Sequence, residues 1–436
     1  MMAKRLFHSL ISFVVVFVLF AMYRFLVAPL MLPEQVEKIV RPPAVDVAAT
    51  PPQIKRLAEY FHADEWESQQ PIVIEKPEFA VLLKNYESTA DDQLRINPCT
   101  FIFFPEGRPT DASEKPVVIL KAPDGAILDF EGGCDLARAK IGKLQGGRLL
   151  GKVTINHRDP ENDPEKYFSL ITRDVELRED RLWSRQDVVF EFGKNKGRGR
   201  GLQMQFNLDP QSGGGEEETG IQTVRRVELF ENVHLFLNIP AKPLLPKDPF
   251  ANAATNKPSS HNKETLVEVK CRGRFRWDSE KLIASFADQV DVTRHHPEAL
   301  PDRMTCDNLA IHFERKLKPS TTTSLNSSNI GKSIDPVFLV ADGSPVRIAT
   351  PMWQATARGN HLEVDLKTQR LILKGEQPVH VTHQQSSLTA LDIDYLPGKQ
   401  DALGTLRAVG PGRLVSAGGD DRGTPVEVSW KKNLEM

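Results

Sequence analysis

Charge imbalance is almost missing from this chain: 56 basic residues stand against 58 acidic ones, a formal net charge of -2 over 436 residues. No field of one sign draws it toward a polynucleotide, so nucleic acid is not an expected partner. Cysteine is scarce too. The four residues Cys99, Cys134, Cys271 and Cys306 show no CxxC spacing, which argues against a bound metal. No GxSxG or HExxH occurs, and the lysine-glycine run Gly193 to Gly201 (GKNKGRGRG) lacks the GK[ST] of a phosphate loop, so it reads as a turn with positive-φ residues. His295 and His296 are adjacent and His380 and His383 lie three apart, so on strands neither pair converges on one ion. The chain is therefore expected to have no catalytic residue, no metal and no cofactor.

Aromatics make up only 7% of the residues, while there are 31 prolines and 28 glycines. That balance suits strands and turns better than helices. The stretch Val267 to Thr293 shows why. Val267, Val269, Cys271, Gly273, Phe275 and Trp277 alternate with Glu268, Lys270, Arg272, Arg274 and Arg276, the pattern of a strand with one wet face. A polar turn at Asp278-Ser279-Glu280-Lys281 leads into a second arm ending at Val290-x-Val292-Thr293. This is a β-hairpin.

The hairpin recurs. A shift of 89 residues sets Trp277 on Leu366, Leu282-Ile283 on Leu371-Ile372 and Val290-x-Val292 on Val379-x-Val381. A shift of 100 in the other direction sets Trp277 on Leu177 and Val290-x-Val292 on Phe190-x-Phe192. Each copy is followed by another alternating strand: Leu202-x-Met204-x-Phe206, Leu309-x-Ile311-x-Phe313 and Leu391-x-Ile393-x-Tyr395. Repeats of this kind stack to share one core. The fold class expected is mainly β, an elongated antiparallel body of stacked repeats preceded by one N-terminal transmembrane helix.

Only one long apolar run exists. Leu6 to Tyr23 carries no formal charge over 18 residues, about 27 Å of helix against a hydrocarbon layer of about 30 Å. It reads as an uncleaved signal anchor built on Leu6, Phe13, Val16, Phe20 and Tyr23. Lys4 and Arg5 favour an N-terminus inside, although Arg24, Lys38 and Arg41 blunt the count. The bulk of the chain is then expected in an oxidising, periplasm-like space. There, Cys271 and Cys306 form either a disulfide or two buried thiols.

By composition the chain divides into an anchor (1–32), a spacer with a short amphipathic helix (33–71), a first β part (72–239), a polar excursion (240–264), a repeat (265–317), a second excursion (318–335) and a last repeat with a terminal strand (336–433). The inward stripes admit two readings. They are a packed core, or they line a trough between two sheets that suits acyl chains.

Residues 141–237 resemble the LptC family, single-pass proteins with a periplasmic β-jellyroll that serve lipopolysaccharide export. The resemblance is carried by GGRLLGKVTI, LITRDVELREDRLWSRQDVVFEF, GRGRGLQMQF and RRVELFENVHLFL, with the N-terminal run. Residues 266–313 and 354–395 resemble the related OstA (LptA)-type repeat. This chain is much longer than that family's usual members. The resemblance implies a body at the inner membrane with its bulk in the periplasm, binding lipopolysaccharide or a similar glycolipid. It also implies an inner-membrane ABC transporter complex and a periplasmic bridge jellyroll as partners, the latter joined by edge-strand pairing. The lining expected for the lipid is Leu177, Phe190, Phe192, Met204, Phe206, Val267, Val269, Phe275, Trp277, Val290, Val292, Leu366, Leu371, Val379 and Val381. The rival is an envelope scaffold whose repeats are packed solid and whose edges recruit other proteins.

Overall fold

A computed structural model describes residues 57–75, 79–88, 93–104, 117–135, 140–158, 167–178, 180–207, 223–240, 264–296, 299–315, 334–398, 404–416 and 425–436. Twenty-two strands occur among them, in one antiparallel sheet. The first ten are β1 (Ile72–Glu75), β2 (Phe79–Ser88), β3 (Gln93–Phe103), β4 (Val117–Ala122), β5 (Ala126–Asp135), β6 (Lys140–Arg158), β7 (Phe168–Arg178), β8 (Arg181–Phe192), β9 (Asn195–Asn207) and β10 (Thr223–Pro240). The middle ones are β11 (Glu264–Cys271), β12 (Phe275–Asp278), β13 (Ile283–His296), β14 (Ala299–Arg315), β15 (Ile334–Thr350) and β16 (Ala355–Asp365). The last are β17 (Leu371–His383), β18 (Ser386–Leu396), β19 (Thr405–Val409), β20 (Gly412–Ser416), β21 (Val426–Trp430) and β22 (Asn433–Glu435).

The order is a meander, each long strand pairing with the next. Four rungs are split instead, the last of them into β21, which pairs with β20, and β22, which pairs with β19. The fragments β4 and β5 both lie between β3 and β6, β11 and β12 both lie between β10 and β13, and β19 and β20 both pair with β18. Unsplit strands slip register at the corresponding place, between Leu149 and Lys152, Glu231 and His234, Ala287 and Val290, Asp342 and Val346, and Arg358 and His361. Each slip is a bulge that bends its strand. The backbone follows: Gly151, Asp174, Gly201, Asn232, Asp288 and Gln289 all take positive φ there. One bend line therefore crosses the whole sheet and gives every rung two arms.

A single-layer sheet can bury one face only by folding that face against something. Here the two arms supply it for each other. One cluster of buried residues runs from Val81 through Leu149, Val290 and Leu373 to Ala408, crossing both polar excursions because β10 pairs with β11 and β14 with β15. Leu149, Val175, Val188, Val346 and Val379, all beside the bend, are 0% exposed. A second small cluster lies at the start. Leu57, Tyr60 and Phe61 pack on Ala80, Leu82, Ile102 and Ile119, so the described end of the amphipathic segment covers the outer face of β2, β3 and β4.

Several expectations need correction. The run after Gly193 is not a turn: only Gly193 and Lys194 turn, and Asn195–Asn207 is a full strand. Alternation explains it, because Gly197 and Gly199 are buried while Lys196, Arg198 and Arg200 are exposed. The segment Ile334–Thr350, which carries Pro336, Gly343 and Pro345, is a strand whose DGSP falls on the bend. The anchor residues Leu6, Phe13, Val16, Phe20 and Tyr23 lie outside the described residues, as does the loop 159–166. Among the described residues no helix is long and apolar enough to cross a membrane.

Cys271 and Cys306 are free, buried thiols and not a disulfide. Val290 of β13 pairs with Cys306, and β13 lies between β11 and β14, so two strand spacings of about 4.8 Å separate the sulfurs' backbones. That exceeds the roughly 7 Å Cα limit of a disulfide. Burial pushes the Cys271 thiol to about 11 and the Cys306 thiol to about 12. Neither thiol is expected to react with a disulfide reagent at pH 8 in the native protein, and both should react once denatured. Rapid native labelling would contradict the packing.

Candidate functional site: two apolar lanes

Side chains on one face of neighbouring strands touch through their register partners. Following those partners on one arm gives an unbroken inward row: Leu177, Leu182, Met204, Val227, Trp277, Ala284, Ile311, Leu339, Val364, Leu371, Tyr395 and Leu406. At about 4.8 Å per strand, this lane runs roughly 50 Å across the rungs. Beyond the bend a second lane runs Val81, Phe101, Leu120, Ile155, Leu170, Phe190, Gly197, Leu235, Val269, Val292, Met304, Ile348, Ala357, Val381, Leu388 and Leu414. Leu177, Trp277 and Leu366, which the repeat superposes, all pack on the one core.

The residues expected to line a lipid path fall into two sets. Met204, Val267, Val269, Val290 and Val379 are at most 8% exposed, covered by their neighbours. Leu177, Phe190, Phe275, Trp277, Val292, Leu366, Leu371 and Val381 are only partly buried against that core. These keep part of their apolar surface open. Phe192 is half-buried opposite Phe168 at an arm tip. Phe206 pairs with Val224 through the backbone, and its side chain lies outside the described residues. Aromatic contacts stiffen the half-exposed set: Phe275 lies 5.0 Å from Phe286, and Trp277 meets Phe313 edge-on at 5.4 Å.

One position in the second lane has no side chain. A Cβ on Gly197 would lie 2.3 Å from Phe190 Cζ and 2.7 Å from Leu235 Cδ2. The Phe190 ring therefore crosses β9 and keeps the lane continuous, the cross-strand pairing by which an aromatic covers a glycine. Ile311, Leu339, Ile348, Leu388 and Leu406 belong to the lanes as much as the expected residues do. Lane membership depends on register, and alternation within one strand does not reveal it.

The outer faces are polar, and one network stands out. Glu268 accepts from Lys270 Nζ at 2.7 Å and from His234 Nε2 at 2.6 Å, with His295 Nε2 at 3.4 Å. His296 instead meets Asp302 at 2.8 Å, so the adjacent histidines serve opposite faces. The Lys270 hydrogen bond, with His234 and against the cost of burial, lowers the Glu268 carboxyl to about 2 from 4.5. A carboxylate with a depressed folded pKa contributes stability above its unfolded value and loses it as pH falls. The urea midpoint is expected to drop between about pH 4.5 and 2, and Glu268→Gln should flatten that part of the profile. An unchanged slope in the variant would show that the network contributes nothing.

Two clefts lie outside the lanes. One of about 470 Å³ sits on the bend among Asp307, Asp342, Ser344, Asn360, His361 and Glu376. Among the described residues no three His, Cys, Asp or Glu side chains gather as metal ligands.

Bent rungs stacked about one apolar interior, with their inward rows in register, define an antiparallel stacked-rung β protein. No protein-family model matches the chain. No curated protein matches it in sequence. A solved structure to which it is similar is that of LptH, the LptA-homologous periplasmic component of the conserved lipopolysaccharide transport device from Pseudomonas aeruginosa. The likeness covers 37% of this chain and 93% of that one, at 14% identity and a TM-score of 0.23.

Proposed function

We propose that this chain is a passive conduit for an amphipathic lipid of the lipopolysaccharide class, anchored by its N-terminal run in the inner membrane with its bulk in the periplasm. It performs no catalysis of its own. An inner-membrane ABC transporter supplies the energy, and a bridge jellyroll pairs with an edge strand. The observation that carries the reading is the pair of continuous inward lanes flanked by half-exposed apolar residues. Each methylene held out of water is worth about 0.8 kcal/mol, so ten of them contribute roughly 8 kcal/mol toward keeping an acyl chain inside. A β-rich exterior of paired charges, such as Arg303 with Asp291 and Arg370 with Asp394, keeps such a body in water. The stretches that resemble the LptC and OstA-type families suggest the lipid class.

The test is a photoreactive residue placed at Phe275 or Leu371 in cells. Adducts with glycolipid are expected at both sites, and none at the exposed outward Arg272. The scaffold reading draws on the complete burial of Val290 and Val379 beside the bend. It expects protein adducts at the exposed edge residue Val426 and no lipid at Phe275. That second outcome would overturn the conduit.

A further inference from the structure

At the C-terminal end of the stack the inward row beside the bend runs from Val379 to Ala390, and on the last rungs from Gly412 to Trp430. Ala390 and Ala408 are 0% exposed although each offers a single methyl and few rungs lie beyond them. Trp430 and Leu434 of the final rung pack on the same core. A Cβ at Gly412 would lie 2.1 Å from Trp430 Cζ2 and 2.5 Å from Cε2, so the indole lies across the glycine and fills the space its side chain leaves. Trp430 Nε1 is buried with no hydrogen-bond partner among the described residues. Packing alone holds the ring. Its strand, β21, pairs with β20 and with no other described strand, and Val426 at its start is 57% exposed.

We propose that Trp430 is the stopper at the C-terminal mouth of the apolar interior. The ring closes the mouth in the isolated chain and turns off Gly412 to let a linear alkyl chain leave. The inference rests on the conduit reading. A large flat group lies where the inward row steps down to Ala390 and Gly412, between rows that carry Leu388, Leu414 and Ile393, and leaving that place breaks no side-chain hydrogen bond. A stopper bonded through its N–H would be a lock; this one is a door held by contact area.

The full chain, loaded with an anthroyloxy-labelled stearate, is assayed for binding of the probe and for its rate of transfer to phosphatidylcholine vesicles. Trp430→Phe keeps a ring and removes the N–H, and it should transfer at the wild-type rate with an unfolding midpoint no lower than wild type. Trp430→Leu keeps an apolar side chain too small to close the mouth, and it should bind equally but transfer at least about fivefold faster, the rate ratio expected from lowering a barrier by somewhat less than a factor-of-ten step. Equal transfer by wild type and Trp430→Leu, with probe bound, overturns the stopper and leaves the conduit standing. A Phe variant as fast as the Leu variant overturns it too, because a flat aromatic ring at this position would then close nothing. Failure of the wild type to bind the probe at all removes the conduit and the stopper together.

Discussion

Gly197→Val is expected to lower the stability of the protein by about 3 kcal/mol, the upper part of the range for forcing atoms into a filled interior. The new side chain would begin at a Cβ 2.3 Å from Phe190 Cζ, 2.5 Å from Cε1 and 2.7 Å from Leu235 Cδ2, and none of these distances is tolerable. Leu235, 4% exposed, has nowhere to retreat. Phe190 is half-buried, so its ring must swing toward solvent. A second substitution makes the test specific. Phe190→Ala alone should cost about 2 kcal/mol, less than a fully buried phenylalanine would. In the double variant the valine should occupy the space that the ring vacates, leaving its stability within about 1 kcal/mol of Phe190→Ala alone. Urea midpoints of the four proteins at pH 7 decide it. Additive losses would mean that Phe190 and Gly197 do not share one space.

Leu362→Ala and Leu149→Ala should each cost about 3 to 4 kcal/mol, the usual loss for removing a fully buried leucine. Both are at most 1% exposed and belong to one cluster, yet more than 200 residues of sequence separate them. The informative result is the form of the unfolding curve. Repeats that fold as independent blocks would give two transitions, with each substitution moving only its own. A continuous core predicts that either substitution lowers the same transition, followed by far-ultraviolet circular dichroism and by tryptophan fluorescence together. Two separable transitions, each answering to one substitution, would show that the polar excursions at 240–264 and 318–335 divide the body after all.

Much of this architecture was written plainly in the residues, and the repeat is the clearest case. The alternation from Val267 to Trp277, expected as one strand, is broken at the bend into β11 and β12 while keeping its inward face, and the polar tetrapeptide leads into β13 as expected. The polar pair Glu231-Asn232, set inside an apolar alternation, is a register slip with Asn232 at φ 52°. Where the reading failed, turn-forming residues were doing a different job. Asp342-Gly343-Ser344-Pro345, about which the sequence made no statement, likewise carries turn chemistry in the middle of β15, because a bend inside a strand needs the same backbone freedom as a turn between strands. The glycines of β9 misled for the opposite reason: they mark a place where a ring from β8 crosses, and no local pattern announces that. Burial depth was also hidden. Val290 and Val292 look alike in the sequence, but the first is 1% exposed beside the bend and the second only half-buried one step outward. Only the fold sets which of them keeps open surface: Val269, the direct partner of Val292, is 2% exposed.

The slips along the bend have a consequence for how such a body can be altered. Within one arm, losing a single residue would turn every side chain beyond it inside out. A bulge already contains an unpaired residue, so a change of length there can be absorbed where it occurs, and both arms keep their facing. Between Lys374 and Val379 the strand spends five positions while its partner spends two, Asp392 to Ala390; on its other side the same strand spends six positions, Lys374 to His380, against three from Arg358 to His361, an excess of three on both sides. The hinge line thus works as a tolerance band: rungs of unequal length can be laid side by side, and their oily halves still meet.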